Sequence, residues 1–238
     1  MQRNTTIDTR FTTPVFSVAE AARLVGMSPS TLSNWAKGYE REYPDRSPVQ
    51  MGPVITSVSS HDGSASIPFI GFVEAAVVQA FRRTGLPLQR IRTALRVLAQ
   101  QDELDHALAS SMLLSDGANV LYDYSRQAED PQLGLLTIVH SGQRVYHDVI
   151  AEYLDRITFG DDWATEIVVP VTPHEILRVR PHVASSRPIF ISSGAPLDAI
   201  RDRIAAGEPI ESVARDFDTP PEDVREALDA VWPSTRAA

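Results

Sequence analysis

The spacing of apolar positions changes character several times along the chain. Val18, Ala21, Ala22 and Val25 recur at i, i+3, i+4 and i+7, which predicts an amphipathic helix. Ser17 and Glu20 form a capping box at its start, and Gly26 supplies the permissive backbone that ends it. Ser28 then caps a second helix whose first position is Pro29, where a missing N–H costs nothing. Leu32, Trp35 and Ala36 point inward from that helix, while Ser30, Thr31, Ser33, Asn34 and Lys37 lie on its opposite face. Two short helices joined in this way predict a helix-turn-helix over Ser17 to Lys37.

Further along, Val54 to Phe69 is rich in β-branched and alternating residues around His61-Asp62-Gly63, which predicts a hairpin of wing size. Val73, Ala76, Val77, Ala80 and Phe81 stripe the next helix. After Gly85-Leu86-Pro87 another follows, with Leu88, Ile91, Leu95 and Leu98 facing the core and Arg82, Arg83, Arg90, Arg92 and Arg96 around the pair. From about Asp102 to Pro181 the pattern is mixed. It predicts a helix near Glu103 to Leu113, turns at Asp116-Gly117 and Ser141-Gly142, a helix within Val145 to Leu154, and strands over Glu166 to Val171 and Ile176 to Arg180. The C-terminal segment is helical again. Leu197, Ile200 and Ile204 stripe one helix, Ile210, Val213, Ala214 and Phe217 a second, and Val224, Leu228 and Val231 a third. The predicted fold is multidomain α+β: a winged helix-turn-helix over residues 1–100, a small mixed α+β domain over 101–181, and a three-helix, helix-turn-helix-like domain over 182–238.

Composition narrows the compartment and charge divides the chain. The sequence contains no cysteine, which excludes disulfides and thiolate metal sites and suits a reducing cytoplasm. Its first residues lack an apolar run and no stretch reaches the roughly 18 apolar residues a membrane span needs, so neither export nor membrane insertion is expected. The net charge of −9 is uneven: residues 1–100 carry +4 and residues 101–238 carry −13. The basic charge therefore accompanies the first helix-turn-helix, and the acidic remainder suits a partner other than nucleic acid.

A helix enters the major groove of B-DNA and reads base edges with donors and acceptors on its exposed N-terminal turns. Ser30, Thr31, Ser33, Asn34 and Lys37 are such side chains, with Asn34 suited to a paired contact with adenine. Ser28, Ser30 and the helix N-terminus could hold phosphate, and Lys37, Arg41 and Arg46 add backbone charge. The second helix-turn-helix is different. Its last helix opens Pro221-Glu222-Asp223 and carries Glu226, which sets carboxylates where phosphate would lie, so a scaffold for dimerisation or protein binding is expected there.

Phe16-Ser17-Val18-Ala19-Glu20-Ala21-Ala22-Arg23-Leu24-Val25-Gly26-Met27-Ser28 resembles the opening of MerR-like winged helix domains, and Gly85-Leu86-Pro87-Leu88 with Ile91 resembles a later helix junction of that family. The likeness covers about the first hundred residues. It departs from MerR regulators where Asp116-Gly117 and strands interrupt the long dimerising helix usual there. At the other end, Arg187-Pro188-Ile189-Phe190-Ile191, Gly194-Ala195-Pro196-Leu197, Ala206-Gly207-Glu208-Pro209-Ile210 and Pro221-Glu222-Asp223-Val224 resemble a small domain-of-unknown-function family common in bacterial toxin-antitoxin operons. That family usually has a glycine before the first proline and an arginine shortly after the second glycine; Ser186-Arg187 and Ala195 stand there instead. Together the two ends resemble the large VapB-type antitoxins, of the kind found in mycobacteria, over nearly the whole chain. This resemblance implies two partners: a PIN-domain, VapC-type ribonuclease toxin to be neutralised, and the chain's own operator DNA to be repressed; two reading helices in successive major grooves predict a homodimer on an inverted repeat. The resemblance also makes Arg201, Arg203, Arg225 and Arg236 candidates for contacting the carboxylates that hold metal in such nucleases. A ligand-responsive MerR-like regulator without a toxin, and a DNA-associated adaptor, remain as alternatives.

Catalytic readings find little purchase. The six histidines, at 61, 106, 140, 147, 174 and 182, make no His-x-x-x-His pair. Asp161-Asp162 diverge as neighbours do and are explained by a turn after Gly160, and His140-Ser141-Gly142 reads as a hairpin turn. No glycine-rich phosphate loop is present, so no enzyme, metal or cofactor is expected.

Overall fold

The computed structural model describes residues 8–43, 46–59, 66–92, 95, 106–111, 152–160 and 162–233. The protein is mixed α+β and divides into two units, one of residues 1–72 with 166–238, the other of residues 73–165. The chain thus leaves the first unit and later returns to it.

Caps and turns set the N-terminal elements of the first unit: α1 (Thr9–Thr12), β1 (Pro14–Phe16), α2 (Val18–Val25) and α3 (Pro29–Lys37). The capping box forms as predicted. The Ser17 backbone N–H and hydroxyl both donate to Glu20 Oε2 at 2.9 Å, and the Glu20 N–H donates to Ser17 Oγ at 3.2 Å. Gly26 ends α2 in the left-handed region (φ 75°, ψ 47°), where its N–H and that of Met27 close on the last carbonyls. Ala21, Ala22, Leu24 and Val25 of α2 are buried with Leu32, Trp35 and Ala36 of α3. Phe16 and Phe72 lie beneath them with ring centroids 4.9 Å apart, and each such large side chain contributes about 1.5–3 kcal/mol by burial.

The regular hairpin lies earlier than the apolar pattern predicts. β2 (Tyr39–Tyr43) and β3 (Arg46–Met51) pair antiparallel, Tyr39 opposite Met51 and Arg41 opposite Val49, with a register shift between Arg41 and Tyr43. Its strands are mostly polar, so alternation does not advertise them. What creates the hairpin is Gly38, which leaves α3 at φ 75°, ψ −179°, a conformation essentially restricted to glycine. A Cβ at Gly38 would meet the Met51 carbonyl oxygen at 2.3 Å. Residues 54–59, expected to start the wing, form no regular strand and instead tie down α3: Val54 and Ile55 donate to the Trp35 carbonyl (2.8 and 3.3 Å), and the Ser57 hydroxyl donates to the Ala36 carbonyl (2.9 Å). His61-Asp62-Gly63 lies outside the described residues. β4 (Ile67–Pro68) pairs antiparallel with β1 and leads into α4 (Phe69–Arg83).

In the second unit, α4 buries Val73, Ala76, Val77, Ala80 and Phe81 as its stripe predicts, and residues 88–92 are helical again with Ile91 buried. The helix expected near Glu103 to Leu113 differs in its described part. Ala107–Ala109 make a short 3-10 turn entered through His106 at φ 65°, and Ser110 forms a β-bridge with Trp163. A left-handed residue at that entry does not propagate an α-helix. The His106 Nδ1 sits 3.1 Å from Glu74 Oε1, a carboxylate that is almost wholly buried. Asp162, at φ 69°, turns the chain between β5 (Ile157–Gly160) and β6 (Trp163–Val168). The turns at Asp116-Gly117 and Ser141-Gly142, with His140, lie outside the described residues.

Back in the first unit, the end of β6 pairs antiparallel with β7 (Leu177–Val179), Ile167 opposite Val179, and β7 pairs with β8 (Ile189–Phe190). Three helices follow as the stripes predict: α5 (Leu197–Ala205), α6 (Ile210–Asp216) and α7 (Pro221–Val231). Leu197, Ile200, Val213, Ala214, Val224, Ala227 and Val231 close their core. Among the described residues, no helix is long and apolar enough to cross a membrane.

Candidate nucleic-acid interface

The outer face of α3 is built by its cap. Ser28 accepts from the Thr31 N–H at 3.2 Å, and its Oγ lies 3.1 Å from Ser30 Oγ and 2.8 Å from Thr31 Oγ1, so three hydroxyls gather at the helix start. Because Leu32, Trp35 and Ala36 anchor the other side, the helical period turns Ser30, Thr31, Asn34 and Lys37 out to solvent, with Ser33 half-buried at the edge. The predicted reading residues therefore share one face. Arg41 is exposed on β2, and Arg46 opens β3 opposite Tyr43, so the two arginines belong to the hairpin that follows α3 directly. The helix offers hydroxyls, the Asn34 carboxamide and the Lys37 cation, groups able to bind phosphates and donate to base edges, while the hairpin exposes Arg41 and Gln50 beside the carboxylates of Glu40 and Glu42.

The last helix of the C-terminal motif presents opposite chemistry. Glu222 and Asp223 occupy the first turn of α7, and Asp223 is pushed above the usual aspartate range by burial and by the neighbouring carboxylates of Glu222 and Glu226. Glu226 accepts from the His174 backbone N–H at 3.0 Å and pairs with its imidazole. The candidate toxin-facing arginines are engaged within the chain. Arg201 reaches Asp202 at 2.6 Å and Asp198 at 3.4 Å, Arg203 pairs with Glu208 and, at 2.8 Å, with Asp216, and Arg225 pairs with Glu211. Arg236 lies outside the described residues.

A residue outside the predicted site joins the two motifs. Arg187 donates from Nη2 to Glu20 Oε1 at 2.7 Å, from Nε and Nη2 to Asp198 Oδ2 at 3.1 and 3.0 Å, and from Nη1 to the Val15 carbonyl at 3.2 Å. Its guanidinium carbon also stands 5.3 Å from the Phe16 ring centroid. Glu20 thus serves two partners, one oxygen completing the α2 capping box and the other receiving Arg187. Burial pushes the Glu20 carboxyl up, but Arg187 and the Ser17 donors outweigh it and hold it down at about 2. Beside this contact, Trp232 stands between Arg201 (5.0 Å) and Arg23 of α2 (5.9 Å). The sequence carries one hint of this role: Arg187 occupies a position where the C-terminal pattern departs from its usual residue.

Comparison with known proteins agrees with both ends of the chain. Residues 14–95 match a family model described as "Putative DNA-binding HTH domain". The chain is similar to "Putative antitoxin VapB45" of Mycobacterium tuberculosis, with 36% identity over 232 residues, 94% of this chain and 97% of that protein. It is also similar to "Uncharacterized protein Rv2308" of the same organism, 26% identical over 90% of this chain and 89% of that one. Among solved structures, the crystal structure of Rv2018 from Mycobacterium tuberculosis matches with a TM-score of 0.71 and 30% identity, covering 92% of this chain and 100% of that chain.

Proposed function

Since the chain belongs to the family of the antitoxin-like protein VapB45, we propose that it is the antitoxin of a type II toxin-antitoxin pair, a cytoplasmic regulator with no catalytic step of its own. In this reading it neutralises a PIN-domain, VapC-type ribonuclease and represses its own operon by binding operator DNA. The observation that carries the reading is the relationship to that protein along 94% of the chain, with a DNA-binding motif at one end.

The α3 face supplies the DNA contacts. Asn34, with Ser30, Thr31 and Ser33, reads bases; Ser28, Lys37, Arg41 and Arg46 hold phosphates. A homodimer on an inverted repeat would set two α3 helices in successive major grooves, one helical turn apart. Toxin contact falls to the acidic C-terminal portion. Arg201, Arg203, Arg225 and Arg236 are the cations proposed to face the nuclease carboxylates, the first three exchanging their present intramolecular partners to do so.

Co-expression with the product of the adjacent gene tests the pair. A copurifying complex, with ribonuclease activity appearing when the antitoxin is removed, is the expected result; a neighbour that neither associates nor cleaves RNA rejects the antitoxin reading. Anisotropy titration of the DNA upstream of the gene tests the repressor half, which fails if a shuffled duplex binds equally well.

A further inference from the structure

We propose that Arg187 is a positioning residue for DNA binding: it locks α2 of the reading motif to the C-terminal three-helix module and so sets how α3 is presented, without touching DNA. The inference rests on the DNA-reading role of α3 proposed above and adds a residue that no motif of that role contains.

Two of the three attachments are to the N-terminal motif. The carboxylate of Glu20 belongs to the capping box that starts α2, and the Val15 carbonyl belongs to the strand just before it. The third, Asp198, lies in the first turn of α5. One planar cation therefore holds a carboxylate 167 positions before it and another 11 positions after it, a geometry the fork of an arginine provides and a lysine does not. The pairs are sheltered: side-chain exposure is 25% for Arg187, 31% for Glu20 and 30% for Asp198, so water screens them less than an open surface pair.

The approach to Arg187 is itself unusual. Ala184, Ser185 and Ser186 run at φ 46°, 55° and 60°, a left-handed turn made without glycine, and His182 stands at φ 65°. Such backbone persists where its surroundings hold it. Here the Ser186 hydroxyl accepts from the His182 N–H at 3.2 Å, His182 Nε2 lies 3.2 Å from Thr9 Oγ1, and the Arg187 guanidinium is fastened at the far end. The turn aims Arg187 back at the start of α2, and the cation completes the junction. Arg23 stacked near Trp232 adds a second, weaker attachment of the same helix.

Without the bridge, α2 loses its tether and α3 samples more orientations, so fewer molecules present the reading face in its groove-fitting pose. The number of phosphate contacts does not change. Affinity and sequence preference should fall while the salt dependence stays the same.

The test titrates the full-length chain against a duplex from upstream of its own gene and a shuffled duplex of equal length, at several salt concentrations. Arg187→Ala is expected to lose tenfold or more in affinity for the upstream duplex, with an unchanged salt slope and a narrowed preference; Arg187→Lys should recover only part. Asp198→Asn, which breaks the same bridge from the other side, should reproduce the loss. Ile200→Val, chosen as a stability-matched core change in α5, should stay within twofold of the wild type. Hydrogen exchange of the α2 amides, measured without DNA, should rise in Arg187→Ala and not in Ile200→Val. Wild-type affinity in Arg187→Ala overturns the proposal. So does a salt slope reduced by about one, which marks Arg187 as a direct phosphate contact, or an equal loss in Ile200→Val. A wild-type chain with no preference for the upstream duplex rejects the DNA-reading role itself, and that result is distinct from all of these.

Discussion

Pro29 and Pro221 stand at the same place in the N-terminal helix-turn-helix and in the C-terminal three-helix segment of the first unit, each at the first position of the last helix. The parallel extends inward. Gly26 and Asp218 both turn left-handed between helices, at φ 75° and 51°, and Ala21, Ala22, Leu32 and Trp35 find buried counterparts in Val213, Ala214, Val224 and Ala227. The surfaces part company. Where α3 exposes Ser30, Thr31 and Asn34, α7 carries Glu222, Asp223 and Glu226. A shared backbone plan therefore does not transfer a function: the packed side of each motif specifies the helices, and the solvent side decides what can approach them. In the proposed reading the first would hold phosphate and the second would repel it.

The comparison breaks most visibly in the core. Leu32→Ala should cost about 2–5 kcal/mol in denaturant unfolding, since Leu32 is fully buried beneath the exposed face of α3. Gly38→Ala comes next, and it probes the hairpin that follows α3. A side chain at that backbone geometry should cost about 1–3 kcal/mol and displace β3 from α3, read as lost stability together with weakened DNA binding. Unchanged stability would show that Gly38 is not the pivot described here.

Surface changes sharpen the contrast. Asn34→Ala should relax base preference by about 1–3 kcal/mol, whereas Lys37→Ala should weaken all duplexes alike and lower the salt slope by about 1. Glu226→Ala, the counterpart of Asn34 in α7, should leave DNA affinity and preference as they are; a changed preference would make the second motif a reader too. Smaller still is the acid response of the junction. Glu20 has a folded-state pKa of about 2 against an ordinary 4.5, so its contribution is complete above pH 4.5 and is lost as pH falls towards 2. Glu20→Gln should flatten that limb of the stability curve between those limits, and an unaltered limb would mean that the Arg187 pair adds nothing. Least of all, Ser185→Gly should raise stability by up to about 1 kcal/mol by relieving the left-handed turn, as a thermal melt would record.

Local signals carried far in this chain. The capping box at Ser17, the prolines at helix starts, the apolar stripes of α2, α3 and α5 to α7 and the glycine after Val25 each act within one or two turns, and each element stands where its signal lies. The exposed face of α3 was legible for the same reason, because the buried positions of a nine-residue helix leave the remaining ones no other direction. The hairpin was not. Tyr39 to Met51 is too polar for alternation to mark it, and its existence depends on how Gly38 approaches the Met51 carbonyl.

By itself, then, the sequence determined the N-terminal helix-turn-helix, the three C-terminal helices, the different chemistry of their exposed faces and the family to which the chain belongs, all properties written in neighbouring residues. The tertiary structure alone decided where the wing-sized hairpin sits and that Arg187 joins the motifs. An arginine among 31 acidic residues does not announce which carboxylates it will bridge. Glu20 and Asp198 become its partners because the chain returns to its first unit and a left-handed turn points the guanidinium at the start of α2.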